Sequence, residues 1–247
     1  MSIQTPKELA RLRESGRIVR EMLDAMRQQA RAGVTTAELD SVGIAVMRRN
    51  GARSAPAMVY GFPGASCISV NEEAVHGIPS KRMLQEGDLL KLDVTIEKDG
   101  FMADAAVTVA IGKVSPRKRE LMHCAKRAFD EAMLVARAGV RVFEIGRAVE
   151  REVRRSGFSV FRELGGHGIG RTIHEAPTVP NYPDPAANEI LTEGLVITVE
   201  PIIAAGSGRS VVARDGWTIR TADRQPSAHY EQTIVITKSE PILLTAA

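Results

Sequence analysis

The chain has 247 residues, 44% of them hydrophobic and 26% charged, with a formal net charge of +3. That balance describes an ordinary globular chain and excludes a highly charged, disordered one. No run of about 18 apolar residues could span a membrane, the start Met1-Ser2-Ile3-Gln4-Thr5-Pro6-Lys7 lacks the apolar core of a secretory signal, and Cys67 and Cys124 are too few for a disulfide framework; a cytoplasmic protein is expected.

Leu9, Leu12, Ile18, Met22 and Met26 follow helical spacing and predict a first helix from Pro6 to about Ala32. Thr35 or Thr36 caps a second, which stops near Asn50-Gly51. The basic groups Arg48, Arg49 and Arg53, and later Arg117-Lys118-Arg119, read as solvated helix ends and turns in preference to a surface for RNA or the ribosome. Ser66 to Asn71 and Asp88 to Ile96 are strand-like, and Lys98-Asp99-Gly100 turns the second into a hairpin. The pattern then restarts, with helices from Pro116 to Arg137 and Val142 to Ser156. A glycine-rich stretch, Gly165-Gly166-His167-Gly168-Ile169-Gly170, and strand-like sequence to Leu244 follow. The glycine spacing resembles a phosphate loop, but no Gly-Lys-Ser/Thr follows it.

Helices before strands, twice over, predict an α+β fold with helices on one face of a mainly antiparallel sheet. Local echoes support a duplication. Leu84-Gln85-Glu86-Gly87 precedes Asp93 as Leu191-Thr192-Glu193-Gly194 precedes Glu200, and the two acids stand 107 residues apart (93 to 200). Ala30-Arg31-Ala32-Gly33-Val34 recurs as Ala136-Arg137-Ala138-Gly139-Val140, and Val75-His76-Gly77-Ile78-Pro79 is echoed by Ile173-His174-Glu175-Ala176-Pro177. Two halves, about 7–112 and 116–240, are therefore expected within one catalytic domain spanning 1–247.

Four carboxylates interrupt or border the apolar strands: Asp93, Asp104, Glu200 and Glu231. Burying several ionised carboxylates together is costly without a cation, so with His167 they predict a centre for two divalent metals, of the Co, Mn, Fe or Zn type. Two such ions can share a hydroxide and polarise a substrate carbonyl. His76 and His174, paired by the repeat, suit hydrogen bonds to the scissile amide and the developing oxyanion. His123 and His229 have no repeat partner and are read as structural. Cys67 is read as a small buried residue with no base beside it.

Asn71-Glu72-x-x-x-His76-Gly77-Ile78-Pro79, Asp93 with Asp99-Gly100-Phe101 and Asp104, Gly166-His167-Gly168-Ile169-Gly170, His174-Glu175-x-Pro177, Glu200-Pro201 and Tyr230-Glu231-x-Thr233 together resemble the type I methionine aminopeptidases over nearly the whole chain. The resemblance implies a pita-bread fold with pseudo-two-fold halves and Asp93, Asp104, His167, Glu200 and Glu231 as ligands, Asp104 and Glu231 bridging. It makes His76, His174 and Glu200 the catalytic groups, with Phe62, Tyr60, Ile173 and Trp217 beside the histidines around the substrate. The implied activity is removal of the initiator methionine from nascent chains with a small second residue, by attack of metal-bridged hydroxide. A monomer acting on peptides, with a transient ribosome contact and no membrane, goes with it. The alternative is a relative of other specificity, such as an Xaa-Pro aminopeptidase or dipeptidase. The sequence departs from the family at Met102-Ala103 and at Ala105, which removes a hydroxyl beside Asp104, and at Ile173, where a phenylalanine is common.

Overall fold

The computed structural model describes residues 1–246. Helices α1 (Pro6–Gln29) and α2 (Thr36–Arg49) both start from a reciprocal cap: Thr5 and Thr35 accept from the backbone N–H of Glu8 and Glu38, whose carboxylates accept from the cap backbone. Such caps satisfy donors that a helix start leaves unpaired. α1 ends at Gln29, short of the expected Ala32, because Ala30 is already extended. A six-residue helix, α3 (Ala55–Tyr60), is too short to show a periodicity; Ser54 caps it and Gly61, in the left-handed region, stops it. α4 (Pro116–Met133) ends four residues before the expected Arg137, and α5 (Val142–Arg155) follows it.

Nine strands form the main sheet. Its order is Arg53–Ser54, Leu89–Lys98, Phe101–Ala110, Glu231–Val235, Val196–Val199, Gly165–Gly168 and Glu175–Pro180; Cys67–Val70 pairs with Leu89–Lys98, and Ile242–Leu243 with Glu231–Val235. All these pairings are antiparallel, as expected. The expected hairpin is present: Asp99 and Gly100, both with positive φ, join Lys98 to Phe101, a conformation whose twist matches that of the strands.

The two-residue alternation of strands decides which side chains face the helices. Leu92, Val94, Ile96, Ala103 and Ala105 pack into one core with α1 and α2, while Ile197, Val199 and Ile234 pack into another with α4 and α5. The residues between them, Asp93, Asp104, Thr198 and Thr233, therefore point to the opposite face. The strand order sets Asp93 and Asp104 on one side of the sheet's middle and Glu231 and Glu200 on the other. The four acids thus lie on two adjacent strand pairs, with Asp93 and Asp104 inside their strands, Glu231 opening its own and Glu200 just past the end of its own.

Candidate metal centre and its pocket

All the residues singled out as ligands open into one pocket of ≈ 850 Å³, counting its mouth, together with His76, His174, Tyr60, Phe62, Ile173 and Trp217. Asp93 and Asp104 are diagonal across the hairpin, since Asp104 is paired with Thr95 and Asp93 with Ala106. Glu231 is paired with that same Ala106 from the neighbouring strand. Register alone therefore gathers three carboxylates.

Hydroxyls hold the acids in place. Thr233 Oγ1 accepts from the Asp104 N–H (2.9 Å) and donates to its carbonyl (2.7 Å), locking the backbone of one acidic strand to the other. Thr198 Oγ1 accepts from the His167 N–H (3.0 Å) and donates to Glu200 Oε1 (3.0 Å). Asn181 donates to the Glu200 carbonyl at 2.8 Å. Thr95, paired with Asp104 on the opposite strand, places a hydroxyl-bearing side chain on the same face of the sheet, where Ala105 offers none.

His167 Nδ1 lies 2.9 Å from the Gly168 carbonyl, so Nδ1 carries the proton and Nε2, 3.6 Å from Glu200 Oε1, presents its lone pair to the acids. The glycines beside it serve the sheet more than the site. A Cβ on Gly166 would lie 2.3 Å from the Thr198 carbonyl oxygen and one on Gly168 2.2 Å from that of Ala176, so only glycine lets this strand sit between its neighbours.

Without a cation this arrangement is electrostatically unfavourable. Burial, reinforced by Asp104, pushes Asp93 well above the usual carboxylate range; Glu200 and Glu231 are raised by burial and then by neighbouring acids, and burial raises Asp104 to about 7 against its hydrogen bonds. Burial also holds His167 down at about 4. Asp104 Oδ1 and Glu231 Oε1 are buried without a partner. Asp104, His167 and Glu231 offer ligand atoms that all lie within 4.8 Å of one another, as do Glu200, His229 and Glu231. Orphaned carboxylate oxygens beside an imidazole lone pair fit divalent metal ions of the kind that accept oxygen and nitrogen together.

Above the acids the wall changes character. His174 stacks edge-on over His167 (4.2 Å between ring centres), and its Nδ1 meets the Tyr60 hydroxyl at 2.5 Å. His76 adopts a left-handed conformation (φ 58), rare for a side chain of its size. Gly77, next to it, lies so close to the strand Cys67–Val70 that a Cβ would come 2.3 Å from the Ile68 carbonyl. Phe62 and Trp217 meet edge to face at 5.3 Å. Cys67 pairs with Asp93 in the ladder, and burial and that acid push its thiol up, so it stays neutral.

His229, a structural residue by its lack of a repeat partner, belongs here instead: its ring lines the pocket, with Nε2 3.3 Å from Glu231 Oε2 and 3.8 Å from Glu200 Oε2. The available signal was its position two before Glu231, which puts both on one face of an extended chain.

The sequence matches metallopeptidase family M24 across residues 10–238. It is 44% identical over 247 residues to methionine aminopeptidase 2 of Bacillus subtilis (strain 168), with 99% of both chains covered. The fold superposes on a crystal structure of methionine aminopeptidase from Thermotoga maritima with a TM-score of 0.96, at 33% identity and with 100% of both chains covered. Prolidase from Pyrococcus furiosus, 22% identical, shares the fold at a TM-score of 0.80, with 99% of this chain matched to 65% of that one.

Proposed function

The chain belongs to metallopeptidase family M24, and from that membership we propose that it is a metal-dependent aminopeptidase that removes the N-terminal methionine from peptides and nascent proteins with a small second residue. The observation that carries the reading is the juxtaposition, in one pocket, of partnerless buried carboxylate oxygens with two mouth-side histidines and an apolar wall. Asp93, Asp104, His167, Glu200 and Glu231 would hold two divalent ions. Bound there, the ions would make water acidic and polarise the scissile carbonyl.

The chain's own groups do the rest. Glu200 takes the proton released by the attacking water and passes it to the leaving amine. The Tyr60 hydroxyl donates to His174 Nδ1, which leaves the proton on Nε2; that N–H stabilises the developing oxyanion. Burial lowers the pKa of both His174 and His76, so both act as neutral donors or acceptors. His76, fixed by its left-handed backbone, hydrogen-bonds the scissile amide. Phe62, Ile173 and Trp217, with Tyr60 at the mouth, receive the methionine side chain. A thioether is flexible and apolar, whereas a Lys or Asp side chain would be buried unpaired. The whole chain acts as one catalytic unit of two halves, about 7–112 and 116–240, working as a cytoplasmic monomer on nascent chains with a transient ribosome contact. Among the described residues, no helix is long and apolar enough to cross a membrane.

The test is competitive cleavage of Met-Ala, Leu-, Lys- and Xaa-Pro peptides at equal concentration, by protein stripped of metal and then given Mn, Co, Fe or Zn. Met-Ala should be cleaved first and only after metal is restored. Preference for any other peptide would overturn the specificity, and full activity in excess chelator would overturn the metal reading.

A further inference from the structure

His229 is held as firmly as the acids it faces. Thr108 Oγ1 accepts from its N–H (2.8 Å) and donates to its carbonyl (2.8 Å), the same double clasp by which Thr233 holds Asp104. The residue is 1% exposed, and neither ring nitrogen has a hydrogen-bond partner. A histidine needed only to fill space would satisfy at least one of them, because burying an unpaired polar atom is unfavourable and an apolar side chain of similar size avoids it. Instead Nε2 points at two carboxylates of the proposed metal centre, nearer to Glu231 than to Glu200. The Glu200 carboxyl consequently lies between two imidazoles, His167 on Oε1 and His229 on Oε2.

We propose that His229 is a positioning residue for the metal centre, donating its Nε2 proton to Oε2 of Glu231 and orienting that carboxylate, and Glu200 beside it, toward the ions. The inference rests on the reading of these acids as metal ligands. A hydrogen bond in which the acceptor is a carboxylate is shorter and stronger than one between neutral groups. Residues that orient metal ligands from outside typically change metal affinity 10- to 100-fold when removed.

The experiment is calorimetric titration of the metal-free protein with Mn²⁺, for the unmodified chain, His229→Gln and His229→Leu, alongside melting temperatures without metal. A glutamine amide can place an N–H where Nε2 stood. His229→Leu should weaken Mn²⁺ binding by roughly 10- to 100-fold, His229→Gln should stay near the unmodified affinity, and metal-free His229→Leu should melt no lower than its parent. Unchanged affinity in the leucine variant, or a markedly lower melting temperature without metal, would reduce His229 to a packing role. Equal loss in both variants, with an altered visible spectrum of the Co²⁺-loaded protein, would make it a direct ligand and also overturn the proposal. If the unmodified chain bound no Mn²⁺ at all, the metal reading would fail first, and that result is distinguishable from the others.

Discussion

The floor and the rim of the pocket are built by different means. The floor is sheet: Asp93, Asp104 and Glu231 occupy ladder positions whose register fixes their spacing, and hydroxyls clamp the strands that carry them. The rim is turns and short pieces. Tyr60 ends a six-residue helix and is 48% exposed, Trp217 sits in a turn, and His174 lies in the loop after the glycine-rich strand. The floor is thus committed to binding charge, and the rim is free to set what is bound above it. Substitutions in the floor should abolish metal binding; those in the rim should leave it intact.

The largest expected effect comes from the floor. Asp104→Asn or His167→Ala should bring activity to background and lower the metal content of dialysed protein, measured by elemental analysis. A fully loaded, inactive Asp104→Asn protein would show that the carboxylate acts on substrate instead. In the rim, His174→Ala should lose turnover by about 10²–10³-fold, the usual effect of removing one preorganised donor, while retaining its metal. Loss of metal from that variant would erase the distinction between the two regions.

The floor should also reveal itself through pH. Its carboxylates have raised pKa values in the fold, so the stability they contribute is present at low pH and lost as pH rises through their folded values. His167 and His229, held at about 4 and about 3, are neutral in both folded and unfolded chains above neutrality and do not oppose this. Above about pH 7 the metal-free protein should lose stability as pH rises, at roughly 1.4 kcal/mol per pH unit for each proton the floor still holds. Urea denaturation with and without Mn²⁺ measures it, and the slope should flatten once metal is bound. Equal slopes would mean the metal sits elsewhere.

Smaller effects belong to the apolar rim. Trp217→Ala should cost methionine peptides about 1–3 kcal/mol in kcat/KM relative to leucine peptides, the scale of a volume change in an apolar pocket. Tyr60→Phe removes the hydroxyl that fixes His174 and should cost about 1 kcal/mol, the worth of one hydrogen bond, chiefly in kcat. A change confined to KM would place Tyr60 in binding alone.

The same division explains what the sequence disclosed. Acids that break apolar runs stand out, and their recurrence after 107 residues, at Asp93 and Glu200, points to the floor, while helices before strands, twice over, give the antiparallel α+β plan. The hydroxyl clasps were illegible, since Thr233 reaches Asp104 across 129 residues and Thr108 reaches His229 across 121. Nothing in local pattern signals a threonine bound to a distant backbone. α3 was missed because six residues carry no period, and His229 because a histidine without a repeat partner looks like packing. Nor does local sequence show that two of the glycines around His167 are required by neighbouring strands.

Asp99 and Gly100 alone connect the two ten-residue strands that carry Asp93 and Asp104. A hairpin of that kind closes in about 1–10 μs, from contacts near in sequence. Glu231 reaches Asp104 only across a sequence separation of 127 residues, a far slower loop to close. Synthesis runs in the same order, so the first two acids exist as a pair before the others have left the ribosome. Two of the four acids are thus set side by side by a single turn, and the floor is closed only when the second half of the chain folds against them.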